Sequence, residues 1–130
     1  MRLIALAAIP ALCLAVPAAA QPNVKGEAEL AKLLAGRVAE RPVSCIRTWP
    51  SSDMKTIDGT AIVFGRGKVI YVNRTDDPSS INDRDALMVK KFGDASRLCD
   101  TDIVTKFDRS ARFYTGNIFL SEFVPYRKVK

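Results

Sequence analysis

Apolar residues follow three different rhythms along the chain, and each predicts a different kind of element. Over residues 3–16 they run almost without interruption, behind one basic residue, Arg2, and ahead of Ala18-Ala19-Ala20. A positive start, a short apolar middle and small residues at the end form a secretory signal. The apolar run partitions into the translocation channel, and the peptidase accepts only small side chains before the cut. Cleavage is predicted between Ala20 and Gln21. A transmembrane anchor fits less well, because the run falls short of the roughly 20 residues that span a bilayer and Pro10 and Pro17 interrupt it. A lipoprotein cut before Cys13 also fits less well: it wants a small residue at the position of Leu12. The expectation is a signal over 1–20, one domain over 21–130 with no membrane span after cleavage, and a periplasmic or secreted product.

The second rhythm is helical. Leu30, Leu33, Leu34 and Val38 line one face of a predicted helix over 27–38. Glu29 is spaced to meet Lys25 or Lys32 on the polar side, and Gly36 weakens or ends the last turn.

The third rhythm is that of strands. Ala61-Ile62-Val63-Phe64 and Val69-Ile70-Tyr71-Val72 are β-rich runs separated by Gly65-Arg66-Gly67, the pattern of a hairpin. Further strands are predicted over 43–48, 86–92, 103–107 and 116–124, the last with Ile118, Leu120 and Phe123 inward and Pro125 as its stop. Residues 49–58 and 74–85 read as loops, and 93–102 as a turn region carrying Cys99. The predicted fold class is α+β and β-rich: one N-terminal amphipathic helix packed on a small, mostly antiparallel sheet of about six short strands.

Charge and cysteines change this picture next. The chain carries 20 basic and 14 acidic residues, a formal +6. Loss of Arg2 with the signal leaves +5 on the mature chain. Positive charge of this size favours anionic partners, although here it is dispersed among aspartates. Signal removal also discards Cys13, leaving Cys45 and Cys99. In an oxidising compartment two such thiols usually pair; two buried free thiols are the alternative. Their spacing excludes a Cys-x-x-Cys redox motif.

Candidate chemistry is sparse. The chain has no histidine, which excludes Ser-His-Asp and Cys-His catalysis and removes the commonest metal ligand. Asp83 with Asp85, or Asp100 with Asp102, are carboxylate pairs of the type that hydrolyse glycosides, but loop aspartates beside Asn, Ser and Thr are explained by turn formation. Asn82-Asp83-Arg84-Asp85 offers oxygens to calcium without EF-hand spacing. Asn73-Arg74-Thr75 matches the glycosylation pattern. Gly65-Arg66-Gly67-Lys68 lacks the phosphate-loop spacing and lies between strands. Arg109 and Arg112 beside Phe113 and Tyr114, with Tyr126-Arg127-Lys128 behind, are the nearest approach to a nucleic-acid surface; export argues against it, and no nucleic-acid partner is expected.

From about Leu30 onward the chain resembles small exported proteins of unknown function from alphaproteobacteria of the sphingomonad type. The residues that carry the resemblance include Leu33-Leu34-Ala35-Gly36-Arg37, Pro42-Val43-Ser44-Cys45-Ile46, Ile57-Asp58-Gly59-Thr60-Ala61-Ile62-Val63, Tyr71-Val72-Asn73-Arg74 and Phe123-Val124-Pro125-Tyr126. The resemblance implies an envelope location and a Cys45–Cys99 pair, and brings no activity. The functional expectation is a non-catalytic envelope module, without cofactor or metal, that binds an envelope protein or an anionic envelope component. Arg109, Arg112, Arg127 and Lys128 are its contact candidates. The alternatives are a small inhibitor inserting the 74–85 loop into a hydrolase, and a carboxylate-dependent hydrolase.

Overall fold

The computed structural model describes residues 22–47 and 53–130. The signal segment, with the Ala20/Gln21 cleavage point, lies outside the described residues. Among those described, helix α1 (Val24–Leu34) precedes ten strands: β1 (Arg37–Ala39), β2 (Cys45–Arg47), β3 (Met54–Ile57), β4 (Ala61–Phe64), β5 (Val69–Asn73), β6 (Asp85–Lys90), β7 (Arg97–Cys99), β8 (Ile103–Asp108), β9 (Tyr114–Phe119) and β10 (Val124–Lys128). They form three sheets, with strand orders β1-β10-β5-β4-β3, β2-β7 and β6-β8-β9, and every paired neighbour is antiparallel. No helix among the described residues is long and apolar enough to cross a membrane.

The α+β, β-rich class therefore holds, while the count of about six strands in one sheet does not. Three of the ten strands are only three residues long, too short to show an alternation. The helix is also displaced: it begins inside the chain at Val24 and ends at Leu34, four residues before the predicted end. Ala35 has already left the helical conformation (φ −55, ψ 129). Val38 consequently belongs to β1 and is 56 % exposed, not on the inner face of a helix.

Strand β4 explains why its sequence is apolar without alternation. All four residues are buried, because both faces of the five-stranded sheet are covered. On one face α1 sets Leu30 against Ile57, Ala61, Val63, Ile70 and Val72. On the other, Ile62 and Phe64 join Ile46, Leu98, Val104, Ile118 and Phe123, which brings all three sheets into one core. The Gly65-Arg66-Gly67 turn closes the predicted β4–β5 hairpin, with both glycines at positive φ (82° and 89°) as such turns require.

Two further expectations are corrected. Residues 54–57, assigned to a loop, pair as β3 with β4. Pro125, expected to stop a strand, lies within β10, between β1 and β5. Its carbonyl accepts from the Glu40 amide, so its donor-less nitrogen points the same way, where β1 has already ended. The one bond given up is the reciprocal bond to the Glu40 carbonyl, at the very end of the ladder, which is where a strand tolerates proline.

Helix α1 is tied down at its start. Asn23 caps it by accepting from the Gly26 amide and donates to the Asp58 carbonyl at 2.9 Å. Glu27 pairs with Arg74, whose guanidinium holds the Glu27 carboxyl below its usual range. Glu29 meets Lys55 of β3 at 2.7 Å, a partner across space and not the lysine of its own helix. Gly26 permits this close approach. A Cβ there falls inside contact distance of Thr60 Oγ1 and 2.7 Å from the Asp58 carbonyl oxygen. Alanine gains about 1 kcal/mol of helix propensity over glycine, whereas forcing a methyl against fixed backbone costs about 1–3 kcal/mol. Gly26→Ala is expected to destabilise by up to about 2 kcal/mol net; a urea unfolding midpoint above wild type contradicts that contact.

Candidate functional site

Ribbon β2–β7 has the simplest register in the molecule: Cys45 opposite Cys99, Ile46 opposite Leu98, Arg47 opposite Arg97. The sulfurs of the cysteine pair lie at disulfide distance, 2.05 Å. Because side chains alternate across a strand, the middle pair points one way and the outer pairs the other. Ile46 and Leu98 enter the core. Cys45, Arg47 and Arg97 line a groove of about 910 Å³ that is lined also by Phe64 and Tyr71 of the five-stranded sheet.

The groove is rich in arginine, and its arginines differ. Arg66 is bonded to the Asp53 carboxylate and Arg127 to Glu40. These contacts hold the Asp53 carboxyl below its ordinary range and raise the Arg127 guanidinium. Arg47 and Arg97 have no carboxylate within salt-bridge distance among the described residues. The nearest acid in the groove, Asp94, accepts from the hydroxyl and amide of Ser96. These bonds lower its pKa first, and Arg97 and Lys91 add a lesser attraction. Two cations placed directly opposite on paired strands repel and destabilise the ribbon, and the disulfide two residue pairs away holds them in that register.

The four basic contact candidates do not come together. Arg127 lines the groove but is engaged by Glu40. Lys128 lies at the end of β10, its amide bonded to the Lys68 carbonyl. Arg109 and Arg112 sit on another sheet, in the turn between β8 and β9, which Asp108 organises by accepting from the Ser110 and Ala111 amides. The Arg47–Arg97 pair was missed by sequence reasoning, although a signal for it exists. Each arginine lies two residues from a cysteine, on the side that an antiparallel disulfide ribbon places face to face.

The remaining candidate motifs have structural occupations. Asp102 is 5 % exposed, and its two oxygens accept from the Phe92 and Cys99 amides. Asp85 lies opposite Asp108 at the end of the β6–β8 pair. Asn82 Oδ1 accepts from the Arg84 amide, so this acidic stretch is organised as a turn. Among the described residues no group of three or more His, Cys, Asp or Glu is placed to hold a metal ion. Asn73 is fully buried; it donates to the Ser121 carbonyl and accepts from the amides of Thr75 and Ser121, which makes it a brace for two loops and inaccessible as a glycan acceptor. The 74–85 loop lies against the body. Ile81 is buried in the core, its carbonyl accepts from the Gly59 amide, and the Asp76 amide donates to Phe119. An inserting inhibitor needs a loop that stands away.

No protein-family model matches the chain, and comparisons with curated proteins and with solved structures give no match either.

Proposed function

We propose that this protein is a non-catalytic binding module that holds an anionic group in the groove beside the β2–β7 ribbon, with Arg47 and Arg97 as the paired contacts. The observation that carries the reading is that Arg47 and Arg97 lie opposite one another in the strand register, both line the groove, and neither has a carboxylate within salt-bridge distance among the described residues. A cationic pair without a bonded carboxylate costs the free protein stability, and an anion between them turns that repulsion into charge-assisted hydrogen bonds. A phosphate or carboxylate is the matching chemistry, because arginine's planar fork fits both. Tyr71, a half-buried residue of the groove lining, gives the ligand's uncharged part an apolar surface. The disulfide supports placement in an oxidising compartment, as the signal-like first residues lead one to expect for an envelope protein.

Calorimetric titration of the full chain with inorganic pyrophosphate tests this. Arg47→Ala and Arg97→Ala are each expected to weaken binding about tenfold, the loss of a charged hydrogen bond, and Arg109→Ala to leave it unchanged. The same two substitutions are expected to raise stability by up to about 0.5 kcal/mol, by removing the cross-strand repulsion. Affinity unmoved by either arginine refutes the site.

A further inference from the structure

The four exposed aromatic residues among those described, Phe92, Phe113, Tyr114 and Phe119, all lie on or beside the β6-β8-β9 sheet, each more than half exposed (54–60 %). Register explains the concentration. One face of this sheet carries Leu87, Val89, Val104 and Ile118 into the core. The opposite face presents three rows: Lys90, Ile103 and Phe119; Met88, Thr105 and Asn117; Ala86, Phe107 and Tyr114. Neither core cluster contains any residue of these rows. Phe92 continues the Lys90 side of β6, and the Lys90 ammonium stands 5.5 Å from the centre of its ring. Phe113 extends the patch into the β8–β9 turn.

Charge selects the occupant. The three rows hold no carboxylate, and their single charge is Lys90. Arg109 and Arg112 flank the adjoining turn, whose acid, Asp108, is occupied with backbone amides. A cationic rim around aromatic and thioether side chains is complementary to an anionic lipid surface, where rings settle at headgroup depth and lysines and arginines meet lipid phosphate. Three strands of about six residues have a flat footprint of roughly 300 Å², sufficient for a few side chains to enter a bilayer interface.

We infer that the outer face of the β6-β8-β9 sheet docks on anionic bilayers, with Met88, Phe92, Phe113, Tyr114 and Phe119 entering the interface and Lys90, Arg109 and Arg112 meeting the headgroups. This inference does not depend on the groove, which lies elsewhere.

Hydroxyl-radical footprinting of the full chain, with and without vesicles, reads these side chains directly, since Met, Phe and Tyr are its reporters. Vesicles of equal parts phosphatidylcholine and phosphatidylglycerol are expected to protect Phe92, Phe113, Tyr114 and Phe119, and pure phosphatidylcholine is not. In co-sedimentation, Phe113→Ser/Phe119→Ser is expected to lower partitioning at least about tenfold and Lys90→Glu roughly fivefold to tenfold, with unfolding midpoints near wild type. Vesicle binding that leaves the four aromatic residues reactive overturns the inference, because another segment then makes the contact. Low reactivity before vesicles are added overturns it too, by showing the face already covered, as does concentration-dependent protection without lipid, which assigns the face to a second copy. Equal protection by neutral vesicles overturns the anionic assignment.

Discussion

Reduction of the Cys45–Cys99 disulfide is expected to lower stability by about 4 kcal/mol. The cysteines are 54 residues apart, and in the loop-entropy description a link of that span removes about 4 kcal/mol of freedom from the unfolded chain. Whole-domain stabilities are about 5–15 kcal/mol, so a protein of this size keeps little in reserve without it. Local structure does not make up the loss. Each strand of the ribbon has three residues, and an isolated two-stranded pair is marginal in water. Apart from the link, the ribbon is held by Ile46 and Leu98 in the core and by the Ser44 carbonyl, which accepts from the Asp100 amide. The measurement is urea unfolding with and without reductant, with Cys45→Ser/Cys99→Ser as the non-reducible comparison. A fall below about 1 kcal/mol shows that packing alone sets the ribbon register. A functional consequence follows: once the link opens, nothing covalent keeps Arg47 opposite Arg97, so pyrophosphate affinity falls with reductant as well.

What the chain's local patterns announce, and what they hide, divides along a physical line. Ala61–Phe64 reads as a buried strand because burial on both faces demands four apolar residues in a row, and the following glycine turn closes the hairpin locally. Leu30, Leu33 and Leu34 likewise mark the buried face of α1. Elements defined by pairing with a distant segment leave no such trace. Arg97–Cys99 becomes a strand only because Cys45–Arg47 lies beside it. Met54–Ile57, with a lysine and a threonine in its middle, pairs because β4 offers an edge. Pro125 looks like a stop until β1 is seen to end where the missing donor points. At the candidate site the same division holds. Arg109 and Arg112 are conspicuous as neighbours in sequence, whereas Arg47 and Arg97 are neighbours only through the register the disulfide sets. Asn73 illustrates the opposite error: its triplet advertises a surface acceptor, and its burial at the junction of two loops makes it structural.

Phe123→Ala is expected to cost about 3–5 kcal/mol, the usual range for emptying a buried aromatic position. Phe123 is fully buried, and its ring meets Phe64 edge-to-face at 5.6 Å. It belongs to the cluster in which Ile62 and Phe64 of the large sheet, Leu98 of the ribbon and Val104 and Ile118 of the small sheet converge, so truncation empties the place where the three sheets are joined. Its backbone stays fastened, since amide and carbonyl both bond to Val43 at 2.9 Å, which limits how far the chain can collapse into the space and puts the loss in the upper part of the range. Phe123→Leu, which keeps most of the volume, is expected to cost about 1.5 kcal/mol; a similar loss for both variants places the cost in backbone displacement and not in the cavity. The two largest effects also meet in one cluster. Ile46 and Leu98, each next in sequence to a bridging cysteine, pack in the same core as Phe123, and changes that share partners in this way do not add. With the bridge open, the ribbon is free to shift toward the emptied position. The combined loss in reduced Phe123→Ala is therefore expected to fall short of the two single losses together, and the shortfall measures how strongly the disulfide ribbon and the central core act as one unit.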